Sequence, residues 1–332
     1  MNLEELAQGV LSGDRVTLAR AITLVESRRE EDERLSAALM RRLAPHSGRS
    51  MRMGISGPPG AGKSTLIDAL GCRLCDRGHR VAVLAVDPSS RVSGGSILGD
   101  KTRMAGLASR GSAFIRPSPS GGQLGGVARR TRESLRLCEA AGYDIVLVET
   151  VGVGQSEVRV RDLTDVLLLL LAPGAGDELQ GIKRGVTELA DLLVVNKADG
   201  DTRAAALRTR AEMAAALHAM AGDGAWTRQV TACSALTGEG LDELWELALA
   251  CRAARTAQGG LEEWRRGQEV RSFRTLLEEA VLERFLRPAE VQDLISRLEA
   301  RVALGDLPAE AAVLDLLDHA PAPTRPGPGT SR

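Results

Sequence analysis

The chain has 332 residues, the length of about two average domains or of one enlarged domain with added helices. Its 43 basic and 44 acidic residues leave a formal net charge of −1, which excludes a whole-chain polycation built to hold nucleic acid or an anionic membrane. Aromatic residues make up only 2%, too few for a platform that stacks single-stranded bases, whereas 43% hydrophobic content suffices for a sizeable core.

Residues 1–45 read as helices, with Leu18, Ile22 and Val25 and then Leu35, Leu39 and Leu43 at helical spacing. The acidic start, MNLEELAQGVLSGDR, lacks the basic and apolar regions of a secretory signal, and no run reaches the roughly 18 apolar residues of a membrane span. The expectation is therefore a cytoplasmic protein. The charged run Arg28 to Arg34 reads as a solvated helix junction, and Pro45 to Arg49 as a break. From Arg52 the period changes. MRMGISG (51–57) reads as a strand feeding a Gly-rich turn, STLIDALGCRLCDRG (64–78) as a helix, and RVAVLAVD (80–87) as a second strand. Cys72 and Cys75 form a lone CxxC on that helix; without a second pair they read as small residues on a helix face. Further short apolar runs are DIVLVET (144–150), DVLLLLLAP (165–173) and DLLVVNKAD (191–199), with AFIRPS (113–118) and RQVTACS (228–234) as additional strands. Such strands, alternating with helical or loop sequence, predict a mainly parallel sheet covered on both faces. The region between the second strand and Tyr143 reads as a long polar, Gly-rich stretch of loop, functional or disordered. Residues 261–286 read as one long helix with Gly267 as its weak point, and Pro321 to Arg332 as a disordered tail.

Gly57-Pro58-Pro59-Gly60-Ala61-Gly62-Lys63-Ser64 fits GxxxxGK[ST] between an apolar strand and a helix, the context that a phosphate-binding loop requires. Its glycines admit backbone N–H groups to phosphate oxygens, and the helix N-terminus adds a favourable dipole. Lys63 is expected to reach the β- and γ-phosphates, Ser64 to hold Mg²⁺, and Thr65 to touch the α-phosphate. Pro58 stands where some dimeric ATPases carry an additional lysine, so no lysine is expected to act across a dimer here. Glu149, ending DIVLVET, is the expected second holder of the metal shell. Glu149-Thr150-Val151-Gly152 echoes DxxG with Glu for Asp, so Gly152 is placed to offer its N–H to a γ-phosphate. Val153 occupies the place of the water-orienting Gln of small GTPases and Gln155 is off register, which predicts slow intrinsic hydrolysis raised by a partner or by dimer contacts.

Asn196-Lys197-Ala198-Asp199 fits the guanine-reading NKxD. A carboxylate at Asp199 accepts from both N1–H and the 2-amino group of guanine; adenine would leave it desolvated and unpaired. The Lys197 stem suits the face of the ring, and Asn196 is placed to tie this loop to the phosphate loop. Ser234-Ala235-Leu236 is a weaker signal for a loop whose backbone contacts the base edge. In this order the elements favour GTP over ATP.

These stretches, together with VLAVDPSSRVSGGSILGDKTRM, IRPSPSGGQLGGVARRTRE, PGAGDELQGIKRG and CSALTGEG, closely resemble the MeaB/ArgK family of methylmalonyl-CoA mutase-associated GTPases over nearly the whole chain except the tail. The resemblance implies a homodimeric G protein that hydrolyses GTP to GDP and phosphate and serves an adenosylcobalamin-dependent acyl-CoA mutase as a chaperone. In that role it gates cofactor loading and protects the mutase. By matching position, Asp87 and Asp100 lie in the family's first switch and are candidates for Mg²⁺ contact, with Lys101 and Arg103 as candidates to balance phosphate charge. Gly174 to Gly185 matches a further mobile segment at the partner interface, where Gln180 and Lys183 are the residues of interest. The implied fold is an α/β P-loop NTPase G domain with a mainly parallel sheet. The implied organisation is an N-terminal helical segment (1–48), the GTPase domain (49–256), a C-terminal helical dimerisation region (257–319) and a tail (320–332). Two other readings compete. A P-loop small-molecule kinase, of the type once linked to amino-acid transport, would transfer phosphate to an acceptor; no base for a substrate hydroxyl is evident. A nickel-delivering GTPase would carry a His-rich tract, whereas His46, His79, His218 and His319 are scattered.

Overall fold

The computed structural model describes residues 2–27, 29–86, 103–117, 124–150, 156–174, 189–219, 226–257 and 260–319. Asp87, Asp100, Lys101, Gly152, Val153, Gln155, Gln180, Lys183 and the tail 320–332 lie outside these residues.

The chain opens with α1 (Leu3–Leu11), α2 (Arg15–Glu26) and α3 (Glu30–Leu43). A reciprocal cap starts α1: Asn2 Oδ1 accepts from Glu5 N–H at 2.8 Å while the Glu5 carboxylate accepts from Asn2 N–H at 3.0 Å. Asp14 caps α2 through Thr17 N–H, and Leu18, Ile22, Val25, Leu39 and Leu43 are buried as their spacing predicts. Arg29, Glu31, Glu33 and Arg34 are exposed, but from Glu30 the run forms the first turns of α3 rather than a junction.

Next come β1 (Met51–Ser56), α4 (Lys63–Asp76), β2 (Val81–Val86), the single turn α5 (Ala105–Ala108), β3 (Ala113–Arg116), α6 (Leu124–Ala140), β4 (Ile145–Thr150), α7 (Ser156–Arg161), β5 (Val166–Leu171), β6 (Leu192–Val195), α8 (Arg203–Ala219), β7 (Gln229–Ala232), α9 (Leu241–Ala257) and α10 (Gly260–Leu286). The strands form a seven-stranded sheet in the order β3-β2-β4-β1-β5-β6-β7, with every pairing parallel. β1 lies between β4 and β5, so the loop after it leaves the sheet at a point where connections diverge, the usual place for a ligand crevice.

Strand residues alternate between two apolar layers. Met53, Ile55, Val81, Val83, Ile145, Leu147, Val166 and Leu168 face α4 and α9, which contribute Leu66, Ile67, Leu70, Leu244, Trp245 and Ala248. Ala82, Leu84, Val146, Val148 and Leu167 face the opposite layer, where they share one core with α1–α3 and with Leu135 and Cys138 of α6. Leu169, Leu171, Leu193 and Val195 pack with α8. The strands are apolar on both sides because both sides are covered. Each fully buried Leu or Ile contributes about 1.5–3 kcal/mol of transfer free energy.

α6 falls inside the stretch that reads as polar loop. Its inward face carries Thr131, Arg132, Ser134 and Glu139 among the apolar residues, which blurs the helical period. Glu139 forms a fork with Arg52 Nε and Nη2 at 2.8 and 2.9 Å and accepts from Gly48 N–H and the Ser50 hydroxyl. A buried ion pair persists when its remaining lone pairs are satisfied in this way.

The chain divides into two compact units at Glu269–Val270. α10 runs unbroken through Gly267. In the second unit, α11 (Ala289–Ala303) and α12 (Ala309–His319) pack together, with Val291, Leu298 and Ala312 buried. No helix among the described residues is long and apolar enough to cross a membrane.

Candidate nucleotide site

The loop after β1 is shaped by two glycines that a side chain could not replace. At Gly57 a Cβ would stand 2.5 Å from the Leu170 carbonyl oxygen. Gly62 has φ +90°, and a Cβ there would stand 2.5 Å from Asn196 Nδ2. The loop thereby closes tightly on the sheet and delivers Lys63 as the first residue of α4. Lys63 is buried, and its Nζ donates to the carbonyls of Gly57 at 2.8 Å and Pro58 at 3.1 Å. The ammonium is thus held against its own loop at a helix N-terminus, where both charge and dipole favour an anion. Pro59, Gly60 and Thr65 are exposed on the lip, and Ala61 is buried.

Parallel pairing brings the second element alongside. Ile55 sits opposite Glu149, and Ser64 Oγ donates to Glu149 Oε1 at 2.8 Å. Behind this pair the Thr150 hydroxyl donates to Ser56 Oγ at 2.9 Å, a buried link between the ends of β4 and β1. Ser64 and Glu149 together present hard oxygen donors beside the phosphate loop, the donor chemistry that Mg²⁺ takes.

The base-reading segment joins the same edge. Asn196, 1% exposed, donates from Nδ2 to the Ala61 carbonyl at 2.9 Å and accepts at Oδ1 from Ala235 N–H at 3.1 Å. One amide therefore locks three loops together: the tie to the phosphate loop anticipated from sequence, and a second tie to the Ser234 loop. Lys197 is the one non-glycine residue with positive φ (60°) among the described residues. That conformation costs on the order of 1 kcal/mol, and the neighbouring bonds of Asn196 and Ala198 hold it. Asp199 is half-buried, and its Oδ2 accepts from the Ser234 hydroxyl, which in turn accepts from Thr237 N–H at 3.0 Å. Ser234 is fully buried whereas Leu236 is 81% exposed, so the hydroxyl aims the carboxylate while Leu236 stands free at the rim. The sequence reading gave this loop a backbone role only; the side-chain bond to Asp199 is additional. Lys63, Ser64, Glu149, Asn196, Asp199 and Ser234 thus lie along one edge of the sheet. Arg103 is exposed at the start of the α5 segment, with no ion pair among the described residues.

A groove of about 580 Å³ lies elsewhere, between α2 and edge strand β3, lined by Arg15, Ala19, Phe114 and others. It contains none of the motif residues, so the converging loops rather than this groove mark the site.

Comparison with known proteins identifies the family. The profile of the family described as "Methylmalonyl Co-A mutase-associated GTPase MeaB" matches residues 18–290. The chain belongs to the MeaB family. It is 52% identical to a putative GTPase of Caulobacter vibrioides over 318 residues, covering 96% of this chain and 97% of the relative. It is 49% identical to GTPase ArgK of Escherichia coli over 281 residues (84% and 85%), and 45% identical to the mitochondrial methylmalonic aciduria type A homolog of Mus musculus over 324 residues (94% and 78%). Among solved structures, one titled as a LAO/AO transport system kinase superposes with a TM-score of 0.76 at 38% identity, covering 96% of this chain and 98% of that one. As a MeaB-family member this chain is a GTP-hydrolysing P-loop enzyme, with the parallel sheet and flanking helices of that fold.

Proposed function

We propose that this MeaB-family GTPase is a homodimeric, cytoplasmic chaperone of an adenosylcobalamin-dependent acyl-CoA mutase, with methylmalonyl-CoA mutase as the first choice. It gates cofactor loading and protects the mutase through a cycle of GTP hydrolysis. The single observation that carries the nucleotide half is the Asn196 amide, bonded at once to the phosphate loop and to the loop holding Asp199. The partner half is supported by the family's description and by the methylmalonic aciduria type A relatives.

In this reading the N–H groups of Gly57, Gly60, Ala61 and Gly62 cradle the phosphates, Pro58 and Pro59 having none to offer, and the Lys63 ammonium exchanges its loop carbonyls for β- and γ-oxygens. Thr65 contacts the α-phosphate. Asp199 accepts from guanine N1–H and the 2-amino group, aimed by Ser234, while Ala235 and Leu236 border the base and Lys197 lies along its face. Mg²⁺, when bound, neutralises charge developing on the phosphates; Ser64 and Glu149 would hold it, with Asp87 and Asp100 as further candidates. Gly152 offers its N–H to the γ-phosphate, and Gln180 and Lys183 belong to the segment that meets the mutase. Lacking a Gln in register after Gly152, the isolated chain hydrolyses GTP slowly and the mutase accelerates it. Nothing in this chemistry calls for nucleic acid or a membrane as partner.

The test is single-turnover GTP hydrolysis with and without purified methylmalonyl-CoA mutase, alongside adenosylcobalamin transfer to the apo-mutase. A slow basal rate that rises with the mutase, and nucleotide-dependent loading, are expected. A fast rate in the isolated chain, or indifference to every adenosylcobalamin-dependent acyl-CoA mutase offered, rejects the chaperone cycle. Phosphate appearing on an amino-acid acceptor instead of in water would favour the kinase reading.

A further inference from the structure

The connection between β4 and β5 carries information that the motifs do not. In a parallel sheet this connection must run from the C-terminal edge, where Glu149 and the phosphate loop lie, to the N-terminal edge, where β5 begins. α7 is the helical part of that run. It lies directly on β1: a Cβ on Gly54, two residues before the end of the strand that feeds the phosphate loop, would stand 2.6 Å from Val160 Cγ1. Val160 is fully buried.

The far end of α7 is held by side chains of α10 together with Arg132 of α6, whose Nη2 donates to the Asp162 carbonyl at 2.9 Å. Gln268 Nε2 donates to the carbonyls of Arg161 at 3.0 Å and Thr164 at 2.8 Å, and Trp264 Nε1 donates to the Thr164 carbonyl at 3.3 Å. The Arg161 guanidinium lies 4.6 Å from the centre of the Trp264 ring, and the Arg255 guanidinium lies 4.8 Å from the same ring. Both arginines pair with Asp191, which also accepts from Leu167 N–H at 2.9 Å. Asp191 directly precedes β6, the strand that leads into Asn196. Gln268 is wholly buried on an otherwise largely exposed helix, yet its Oε1 has no hydrogen-bond partner. A buried amide satisfied only in part can be re-partnered at little cost when its neighbours shift, whereas a fully satisfied one cannot.

We infer that Trp264 and Gln268 are positioning residues for α7 that couple the nucleotide state at the phosphate loop to α10. This rests on the proposed reading, in which the loop following Glu149 senses the γ-phosphate. When that contact is gained or lost, α7 shifts against β1, and its last turn changes its bonds to Gln268 and its cation–ring contact with Trp264. Two discrete arrangements of one packed helix suffice to carry the signal. α10 continues to Leu286, so the readout stays within one helix.

The test uses the full chain labelled with 5-fluorotryptophan. Its three tryptophans, Trp226, Trp245 and Trp264, give separate ¹⁹F resonances, and the Trp264→Phe variant assigns the third. With Mg²⁺ present, exchanging GDP for a non-hydrolysable GTP analogue is expected to move the Trp264 resonance by more than its line width. The resonance of Trp245, packed between α9 and the sheet, should hold still. Gln268→Ala should remove most of the displacement while calorimetry shows nucleotide affinities within about twofold of the parent. Tight binding of both nucleotides with an unmoved Trp264 resonance overturns the inference. So does a displacement that survives Gln268→Ala intact. Failure of either nucleotide to bind would instead remove the proposed reading, and the inference with it.

Discussion

At the scale of single residues, the site is legible wherever its chemistry is contiguous in sequence. GPPGAGKS and NKAD each specify a turn, a charge and a donor within a few positions, so both can be read before any fold is known. The Ser234–Asp199 bond is less legible: its partners are 35 residues apart, and a lone Ser-Ala-Leu has no distinctive pattern. Two predictions belong here. Asp199→Asn keeps a side chain that Ser234 can reach but replaces one acceptor by a donor. It should weaken GTP binding by at least about tenfold, and it should improve binding of xanthosine triphosphate, whose C2 carbonyl accepts from an amide. Calorimetry with GTP, ATP and XTP decides the matter; an unchanged ranking rejects Asp199 as the base reader. Gly62→Ala forces a side chain into a left-handed backbone and against Asn196 Nδ2. Because Asn196 ties three loops, the expected outcome is loss of GDP affinity together with a lower melting temperature of the nucleotide-free chain, by about 1–3 kcal/mol of stability. Wild-type values for both would mean that the loop relaxes freely.

At the scale of elements, the strands are readable because burial on both faces leaves unbroken apolar runs such as Val166–Leu171 and Leu192–Val195. Helices are harder where the buried face is polar. α6 hides because Arg132, Glu139 and two hydroxyl residues occupy its inner face, and their partners Arg52 and Glu269 come from distant sequence. α8, dominated by alanine and arginine, has little hydrophobic contrast to announce it. The charged seams at the start of β5 and β6 are equally invisible: Asp191 finds Arg255 across 64 residues, and Asp165 finds Arg265 across 100. Glu269 offers a measurable case. Burial pushes its carboxyl up, but Arg132 and Arg136 outweigh that and hold it below the ordinary glutamate range. A carboxylate with a lowered folded value contributes stability that is complete above the unfolded value and is lost as pH falls through the folded one. Its side chain is 41% exposed, so solvent screening limits the contribution to less than about 1 kcal/mol. Glu269→Gln should therefore lower urea stability slightly at neutral pH, and the difference from the parent should vanish once pH drops below the lowered folded value. A difference that persists unchanged in acid would assign the effect to packing instead of charge.

At the scale of the whole molecule, the first unit accounts for its own apolar surface while the second does not. Three apolar clusters on the two faces of the sheet take up nearly every strand residue, and the N-terminal helices complete one of them rather than standing apart. In the second unit, by contrast, Val270, Phe273, Leu277 and Val281 recur every three or four residues along α10 and are 50–64% exposed. Leu314 and Leu317 on α12 are also exposed, at 62% and 58%. An apolar stripe at this spacing is what one helix offers to another, and proteins rarely leave such a stripe in water. A second copy of the same stripe is the self-complementary partner that twofold symmetry supplies. Phe273→Glu together with Leu277→Glu places charge in the middle of the stripe, on positions already exposed in the single chain, so the fold itself should tolerate both changes. Light scattering behind a sizing column should report a dimer for the parent and a monomer for the double variant, with GDP affinity preserved because neither residue belongs to the phosphate or base loops. If the parent itself runs as a monomer at micromolar concentration, the stripe is covered by something other than its own copy, and the homodimer must be given up. If the variant stays dimeric, the contact lies elsewhere on the chain. Loss of GDP affinity along with the dimer would mean that the nucleotide site depends on the assembly for its completion.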